Sequence, residues 1–413
     1  MKRRSFLMAG AALIPGGMFA GEGSRLVVPD AESKPKSLVI VLLAGGLSHI
    51  DSFDPKPDAP GQIRSEFGTL ATRATGVRFT ALLPKLAECA NRFTLLRAVS
   101  HGVGVHDPAQ KMMLCGSSNS RPSTPSLGAI VSQQMQSAAD IPTYAAIPAL
   151  SSNAGEFGQL HEPFNVLGDS GILLTQAPSE SEPDRWSEFS RRRRLLNVLQ
   201  SNSPISSGTE ATAEHAKAYR RAVSVMQASE LRTLTNLDGE SPQVRSLYGT
   251  GLLSDHLIYA RRLLELGTRC ITVLHGGWDT HYDGFSTLKQ LLPPLDHALA
   301  GFLSDLSNRG MLESTMVAVL TEFGRTPTIT NRGGRDHWPR CGNALLAGGR
   351  FHGGLTWGAT DAHGAEVVED PCSPQDIGFT LLEEMGIKPR ETFVPPTGRV
   401  LLPEGRFLQE IIG

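Results

Sequence analysis

Short, almost unbroken apolar runs, each leading into a polar or glycine-bearing loop, leave this chain few folds to choose from. Ser37–Leu43 runs into Ala44-Gly45-Gly46, Arg269–Leu274 leads to Trp278-Asp279-Thr280-His281-Tyr282-Asp283, and Thr315–Leu320 leads to Thr321-Glu322-Phe323-Gly324-Arg325. A strand with one wet face alternates apolar and polar residues. Runs without alternation predict strands covered on both faces, as in a parallel sheet. A further strand is expected over Phe93–Val99. Helical patterns separate these runs: Leu82–Asn91, Leu252–Leu266 closed by Gly267, and Leu288–Arg309 closed by Gly310. Strands alternating with helices predict an α/β fold built on a doubly wound, mostly parallel sheet. Such sheets bind ligands beyond the carboxyl ends of their strands, and the polar clusters fall there.

Imidazole and carboxylate are the usual ligands of Zn²⁺ and similar divalent ions. Residues two apart on an extended segment share a side. Asp279 and His281, with Asp283, are therefore expected either to converge on one ion or to brace a turn. Glu322 directly follows the Thr315–Leu320 strand, and Arg325 is placed to clamp an oxyanion or to hold Glu322 in a buried ion pair. Gly334-Arg335-Asp336-His337-Trp338 follows a Gly- and Arg-rich loop expected to close over a ligand. There His337 reads as a metal ligand, and Asp336 as a further ligand or the partner that orients it. In the first half, Ser48-His49-Ile50-Asp51 follows the first strand and His106-Asp107 the second, so one site drawn from three regions is expected. No G-x-S-x-G elbow, P-loop or G-x-G-x-x-G fingerprint follows a strand, which argues against lipase-like, nucleoside-triphosphatase and dinucleotide-binding chemistry.

Lys2-Arg3-Arg4-Ser5-Phe6-Leu7 and the weakly apolar stretch up to Ala20 read as a twin-arginine export signal, residues 1–20, followed by a linker over 21–36. The stretch is too short to span a bilayer comfortably. It predicts a periplasmic or extracellular protein with no transmembrane anchor once the signal is removed. That route carries folded proteins, which suits a chain that takes up a cofactor before export. A formal net charge of -2 leaves no basic footprint for nucleic acid. Residues 151–240, rich in Ser, Thr, Glu and Arg, are expected to form a helical insertion or cap peripheral to the sheet, with Arg191-Arg192-Arg193-Arg194 on a solvated face. Five cysteines, at positions 89, 115, 270, 341 and 372, lack any C-x-x-C spacing and predict no disulfide framework.

The stretch from Ala44-Gly45-Gly46-Leu47-Ser48-His49-Ile50-Asp51-Ser52-Phe53-Asp54 to Pro55-Lys56-Pro57 resembles a family of exported bacterial proteins, domain of unknown function 1501. So do Gly277-Trp278-Asp279-Thr280-His281, Glu322-Phe323-Gly324-Arg325-Thr326-Pro327 and Gly334-Arg335-Asp336-His337-Trp338. That family in turn is similar to a distant branch of the alkaline phosphatase and sulfatase superfamily. The resemblance implies an alkaline phosphatase-like three-layer sandwich over residues 37–413, a metal-centred cleft, and phosphate or sulfate esters as substrates. It covers nearly everything after the signal and is weakest from Ser151 to Glu240. The chain also departs from the superfamily. Ala44-Gly45-Gly46 stands where an Asp ligand is usual, so His49 or Asp51 would have to substitute, and Glu322-Phe323 stands where an Asp-His pair is usual. Counted back from Cys115-Gly116, the nucleophile register falls on His106, which can act as nucleophile, base or ligand.

The expectation is thus an exported metal-dependent ester hydrolase. Asp279, His281, Glu322 and His337 would hold a divalent ion, most simply Zn²⁺, helped by His49, Asp51 or Asp336. His106 would be nucleophile or general base, and Arg325, Arg335 and Asp107 would meet the small anionic substrate. The alternative is a non-catalytic binding or assembly protein that kept the fold, at most a structural metal, and an exported partner.

Overall fold

The computed structural model describes residues 35–118, 123–137, 140–151, 153–167, 228–389 and 403–413, with isolated residues between 187 and 225. The export signal, nearly all of the linker, the four-arginine run except for two of its residues, and most of 151–240 lie outside the described residues.

Eight strands form the main sheet: β1 (Ser37–Leu43), β2 (Phe93–Leu96), β3 (Tyr144–Ile147), β4 (Phe164–Asn165), β5 (Cys270–His275), β6 (Thr315–Thr321), β7 (Ala344–Ala347) and β8 (Thr356–Trp357). Their order across the sheet is β8-β2-β7-β6-β1-β5-β3-β4. β1 pairs in parallel with both β5 and β6. Among the described strands of this sheet β7 alone runs against its neighbours, β2 and β6.

The unbroken apolarity of β1 has the cause expected from its pattern. Val39, Val41 and Leu43 enter one core, while Leu38, Ile40 and Leu42 enter the other. β6 divides in the same way, with Val317 and Val319 on one side and Met316, Ala318 and Leu320 on the other. Alternate side chains of a strand face opposite sides of the sheet, so each face needs a helical layer. Helices α3 (Leu252–Leu266) and α4 (Gly284–Asn308) cover the first face through residues such as Leu257, Leu263, Leu295 and Leu299. Helices α1 (His106–Cys115), α2 (Leu127–Gln134) and α5 (Pro374–Glu384) cover the second through Met113, Ile130 and Leu381. The result is a three-layer α/β sandwich.

The chain passes from β5 through α4 to β6, crossing β1, which lies between them. Connections that leave a central strand in opposite directions open a crevice beyond its carboxyl end. The loops after β1, β2, β5 and β6 all emerge at that rim.

The segment expected to be a peripheral cap is tied into the sheet at both described ends. Phe164–Asn165 adds the edge strand β4 beside β3, and Leu231 and Leu234 are buried in the core under α3 and α4. Apolar residues at the borders of a polar-rich stretch account for the difference. All five cysteines are buried and unpaired. No helix of the described residues is long and apolar enough to cross a membrane.

Candidate metal centre

Three histidines from three separate segments of the chain meet at one carboxylate oxygen. Asp279 Oδ1 lies 3.5 Å from His106 Nε2, 3.1 Å from His281 Nε2 and 3.2 Å from His337 Nε2. The other nitrogen of each ring faces an acceptor. His106 Nδ1 lies 2.8 Å from Glu322 Oε2, His281 Nδ1 2.7 Å from Asp336 Oδ1, and His337 Nδ1 2.8 Å from the Gly104 carbonyl. A carbonyl or carboxylate oxygen can only accept, so a neutral ring that donates from Nδ1 turns a bare Nε2 toward Asp279, and one that donates from Nε2 bonds Asp279 instead, as the 3.2 Å contact of His337 allows.

The consequence is an electron-rich point that Arg325, donating to Asp279 Oδ1 at 2.6 Å, neutralises only from the Asp279 side. His281 Nε2 and His337 Nε2 stand 2.9 Å apart, and when both neutral rings carry their proton on Nδ1 neither has one to give the other. A cation, either a proton or a metal ion, is what such a pair lacks. Neutral imidazoles whose far nitrogen is fixed by a carboxylate or carbonyl are the usual metal-ligand arrangement. The ligand atoms of His106, Asp279 and His337 all lie within 4.8 Å of one another. The donor set therefore fits a divalent ion of the Zn²⁺ type. Between 21% and 30% of each imidazole is exposed, so the point opens to solvent.

Each donor has a local reason for its place. His106 opens α1 after the extended Val105, which puts Gln110 one turn on, on the same face. Glu322 is fully buried at the end of β6. Its Oε1 accepts the Gly45 N–H and the Gln110 amide, the latter at 3.2 Å. Gly45 has φ +119, and a Cβ there would stand 2.4 Å from Asp279 N, so only glycine lets the β1 and β5 loops approach so closely. Buried Phe323 lies against His337 and His106, with ring centroids 4.5 and 5.3 Å apart, and forms the apolar floor of the cluster. Burial opposes ionisation of Asp279. The Arg325 hydrogen bond and charge, with His337 and His281, overcome this and hold its carboxyl below the usual range. Asp336 is also held low, chiefly by its bond to His281.

Several expected roles change. Glu322 has both oxygens engaged by Gly45, Gln110 and His106, so it orients His106 instead of facing the point where the Nε2 atoms meet. Arg325 cannot clamp a substrate anion, because it is fully buried and its donors go to the Gly45, Gly46 and Arg335 carbonyls and to Asp279 at 2.6 Å. Arg335 is likewise buried. It grips Asp51 through Nε at 2.7 Å and NH2 at 3.1 Å, and the Thr326, Pro327 and Ile63 carbonyls take its other donors. Asp51 is thereby part of a buried ion pair and stands apart from the cluster. His49 is buried against the Gly364 carbonyl at 2.8 Å, with its imidazole kept below its ordinary pKa by burial, and it too lies apart. Asp107 is exposed on the first turn of α1 and takes part in no ion pair among the described residues. Asp283 is the left-handed residue before α4, at φ 48. The 331–335 loop is not a free lid. Its carbonyls at Arg332 and Gly333 accept the Asp283 and Gly284 N–H groups, and the Arg335 N–H reaches the Thr280 carbonyl.

A parallel-sheet protein that gathers imidazoles and carboxylates where the strand order reverses belongs to the class with a ligand site at the carboxyl rim. Within that class, the chain belongs to the family described as "Protein of unknown function (DUF1501)", which it matches over residues 35–412. Among curated proteins, none matches this sequence. Solved structures with some likeness include a sulfatase from Pseudoalteromonas sp., at 11% identity and TM-score 0.36, with 86% of this chain and 68% of that one covered. Another is the alkaline phosphatase of the Antarctic bacterium TAB5, at 12% identity and TM-score 0.35, covering 86% of this chain and 99% of that one. A third is a phosphonate monoester hydrolase from Silicibacter pomeroyi, at 12% identity and TM-score 0.33, covering 92% and 76%.

Proposed function

We propose that this chain is an exported, metal-dependent hydrolase of phosphate or sulfate esters. The observation that carries the reading is the facing pair of imidazole nitrogens, His281 Nε2 and His337 Nε2, beside Asp279 Oδ1. Asp279, His281 and His337 would hold the ion. When bound, a divalent ion of this kind supplies Lewis-acid polarisation of an ester oxygen and acidifies water.

The chain's own groups do the rest. Asp336 and the Gly104 carbonyl fix the tautomers of His281 and His337, and Arg325 keeps Asp279 ionised and aimed. His106 acts as general base: Glu322 orients the ring through Nδ1, and Nε2, 3.5 Å from Asp279 Oδ1, takes a proton from the attacking water. Gly45 and Gln110 in turn hold Glu322. Export by the twin-arginine route rests on Lys2-Arg3-Arg4-Ser5-Phe6-Leu7 and the apolar stretch after it.

The test separates ligand from base. His281→Ala and His337→Ala should lose both the ion and turnover of aryl phosphate and sulfate esters. His106→Ala should keep the ion and lose turnover. Full activity in the His281→Ala and His337→Ala variants would refute the proposal. One observation favours a second reading, a non-catalytic binding or assembly protein: both Arg325 and Arg335 are engaged inside the protein. Such a protein would retain the ion yet turn over no phosphate, phosphonate or sulfate ester.

A further inference from the structure

We propose that Arg332, stacked on Tyr282, receives the anionic group of the substrate, and that it does so only when the cation is in place. This rests on the metal-centre reading and assigns the contact that Arg325 and Arg335 cannot make.

Arg332 stands at the mouth of the cluster with 40% of its side chain exposed. Its guanidinium lies over the Tyr282 ring, 4.6 Å from the centroid, and donates to the Tyr282 hydroxyl at 3.1 Å. A second donor reaches Asp336 Oδ1 at 2.9 Å, the same oxygen that fixes His281 at 2.7 Å. The backbone beneath is pinned by the Asp283 N–H on the Arg332 carbonyl and by the bridge between Tyr282 and Gly333. Only the side chain is left to move, and it is anchored next to a ligand of the cluster.

The chemistry favours an anion there. Guanidinium offers a planar fork of donors matched to phosphate and sulfate oxygens. Its pair with Asp336, itself 47% exposed, is the screened, solvent-facing kind that holds weakly. A substrate oxyanion presenting two oxygens can therefore compete for it. Tyr282, 65% exposed, supports one face of the fork and fixes its plane.

Charge makes the binding conditional. Among the described residues joined by these contacts, three carboxylates (Asp279, Glu322, Asp336) stand against two guanidiniums (Arg325, Arg332). This excess of carboxylate disfavours an anion, and a divalent cation offsets it.

The experiment is calorimetric titration of the full chain with inorganic phosphate, and separately with sulfate, before and after Zn²⁺ loading, with metal content measured on every sample. Zn²⁺-loaded wild type should bind the anion, and chelated wild type should not. Arg332→Ala should keep its Zn²⁺ and lose affinity by about tenfold or more, while Arg332→Lys should fall between. For an ester substrate the loss should appear in KM, with kcat less affected. Anion affinity unchanged in Arg332→Ala would overturn the proposal. Equal binding with and without Zn²⁺ would do the same. Loss of Zn²⁺ together with the anion would also overturn it, because Arg332 would then act on Asp336 and not on the ligand. Wild-type protein that takes up no Zn²⁺ would instead sink the metal-centre reading itself, a result seen before any variant is made.

Discussion

Asp51→Asn is the substitution that most sharply separates scaffold from site. Asp51 and Arg335 are each 2% exposed and joined by two hydrogen bonds, at 2.7 and 3.1 Å, with Ser48 donating to Asp51 at 2.5 Å. Asparagine keeps the shape, removes the charge and turns an amide NH₂ toward donors. Arg335 is then a buried cation without its counter-ion. Breaking a buried pair from one side costs about 3–5 kcal/mol, a large share of the roughly 5–15 kcal/mol by which folded domains are stable. In urea unfolding followed by circular dichroism, the midpoint should fall by about 1 M or more. Arg335 is also the residue before Asp336 and His337, so metal occupancy should fall with it. The paired change Asp51→Leu with Arg335→Met should recover most of the midpoint, since apolar residues of similar volume replace buried ion pairs at little cost. An unfolding free energy within about 0.5 kcal/mol of wild type for Asp51→Asn would refute the reasoning, because only a solvent-screened pair behaves so.

Gly45→Ala must push a Cβ to within 2.4 Å of Asp279 N at a left-handed backbone position. It should yield protein that either fails to fold or binds no metal, as read by circular dichroism and elemental analysis. Asp296 is buried and accepts the Lys85 and Leu86 N–H groups, yet burial outweighs those bonds and raises its carboxyl to about 6. A raised carboxyl stabilises the fold in its protonated form. That contribution is full below the unfolded value near 4 and is lost as pH rises through about 6, amounting to at most about 3 kcal/mol. Urea midpoints from pH 4 to 7.5 should therefore show a downward component that Asp296→Asn lacks, and parallel curves for the two proteins would contradict this. His256, buried on α3, is held down to about 4, mainly by burial. It supplies the opposite slope, with stability lost as pH falls from about 6.5 to 4, and His256→Phe should flatten that limb.

Much of this architecture was legible in the residues. β1, β5 and β6 announce themselves because burial on both faces leaves few polar positions, and β1 and α3 have the bounds their patterns predict. Four strands did not. Tyr144–Ile147 and Ala344–Ala347 are four-residue segments rich in Ala, while Phe164–Asn165 and Thr356–Trp357 have only two residues each, too short for any period to register. Helix α5 was readable and missed: Ser373, Pro374 and Asp376 spell a capping box. At the site, Asp279, His281, His337, Asp336 and His106, all read from histidines and acids placed after strands, do meet. The same pattern misleads for His49 and Asp51, because a strand end also needs internal props and sequence does not distinguish a ligand from a prop. Backbone partners such as the Gly104 carbonyl and the Gly45 N–H carry no side-chain signature. Gln110, one helical turn from His106, was the partner that spacing alone could have found.

The most direct measurement is the metal content of the full chain, purified without chelator and followed by X-ray absorption at the edge of whatever ion is found. The expected result is about one divalent ion per chain, with nitrogen and oxygen ligands at about 2.0–2.2 Å that include imidazoles, and loss of that ion in His281→Ala and His337→Ala. Protein that emerges empty and takes up no ion at micromolar Zn²⁺, or that keeps its ion in both variants, would contradict it.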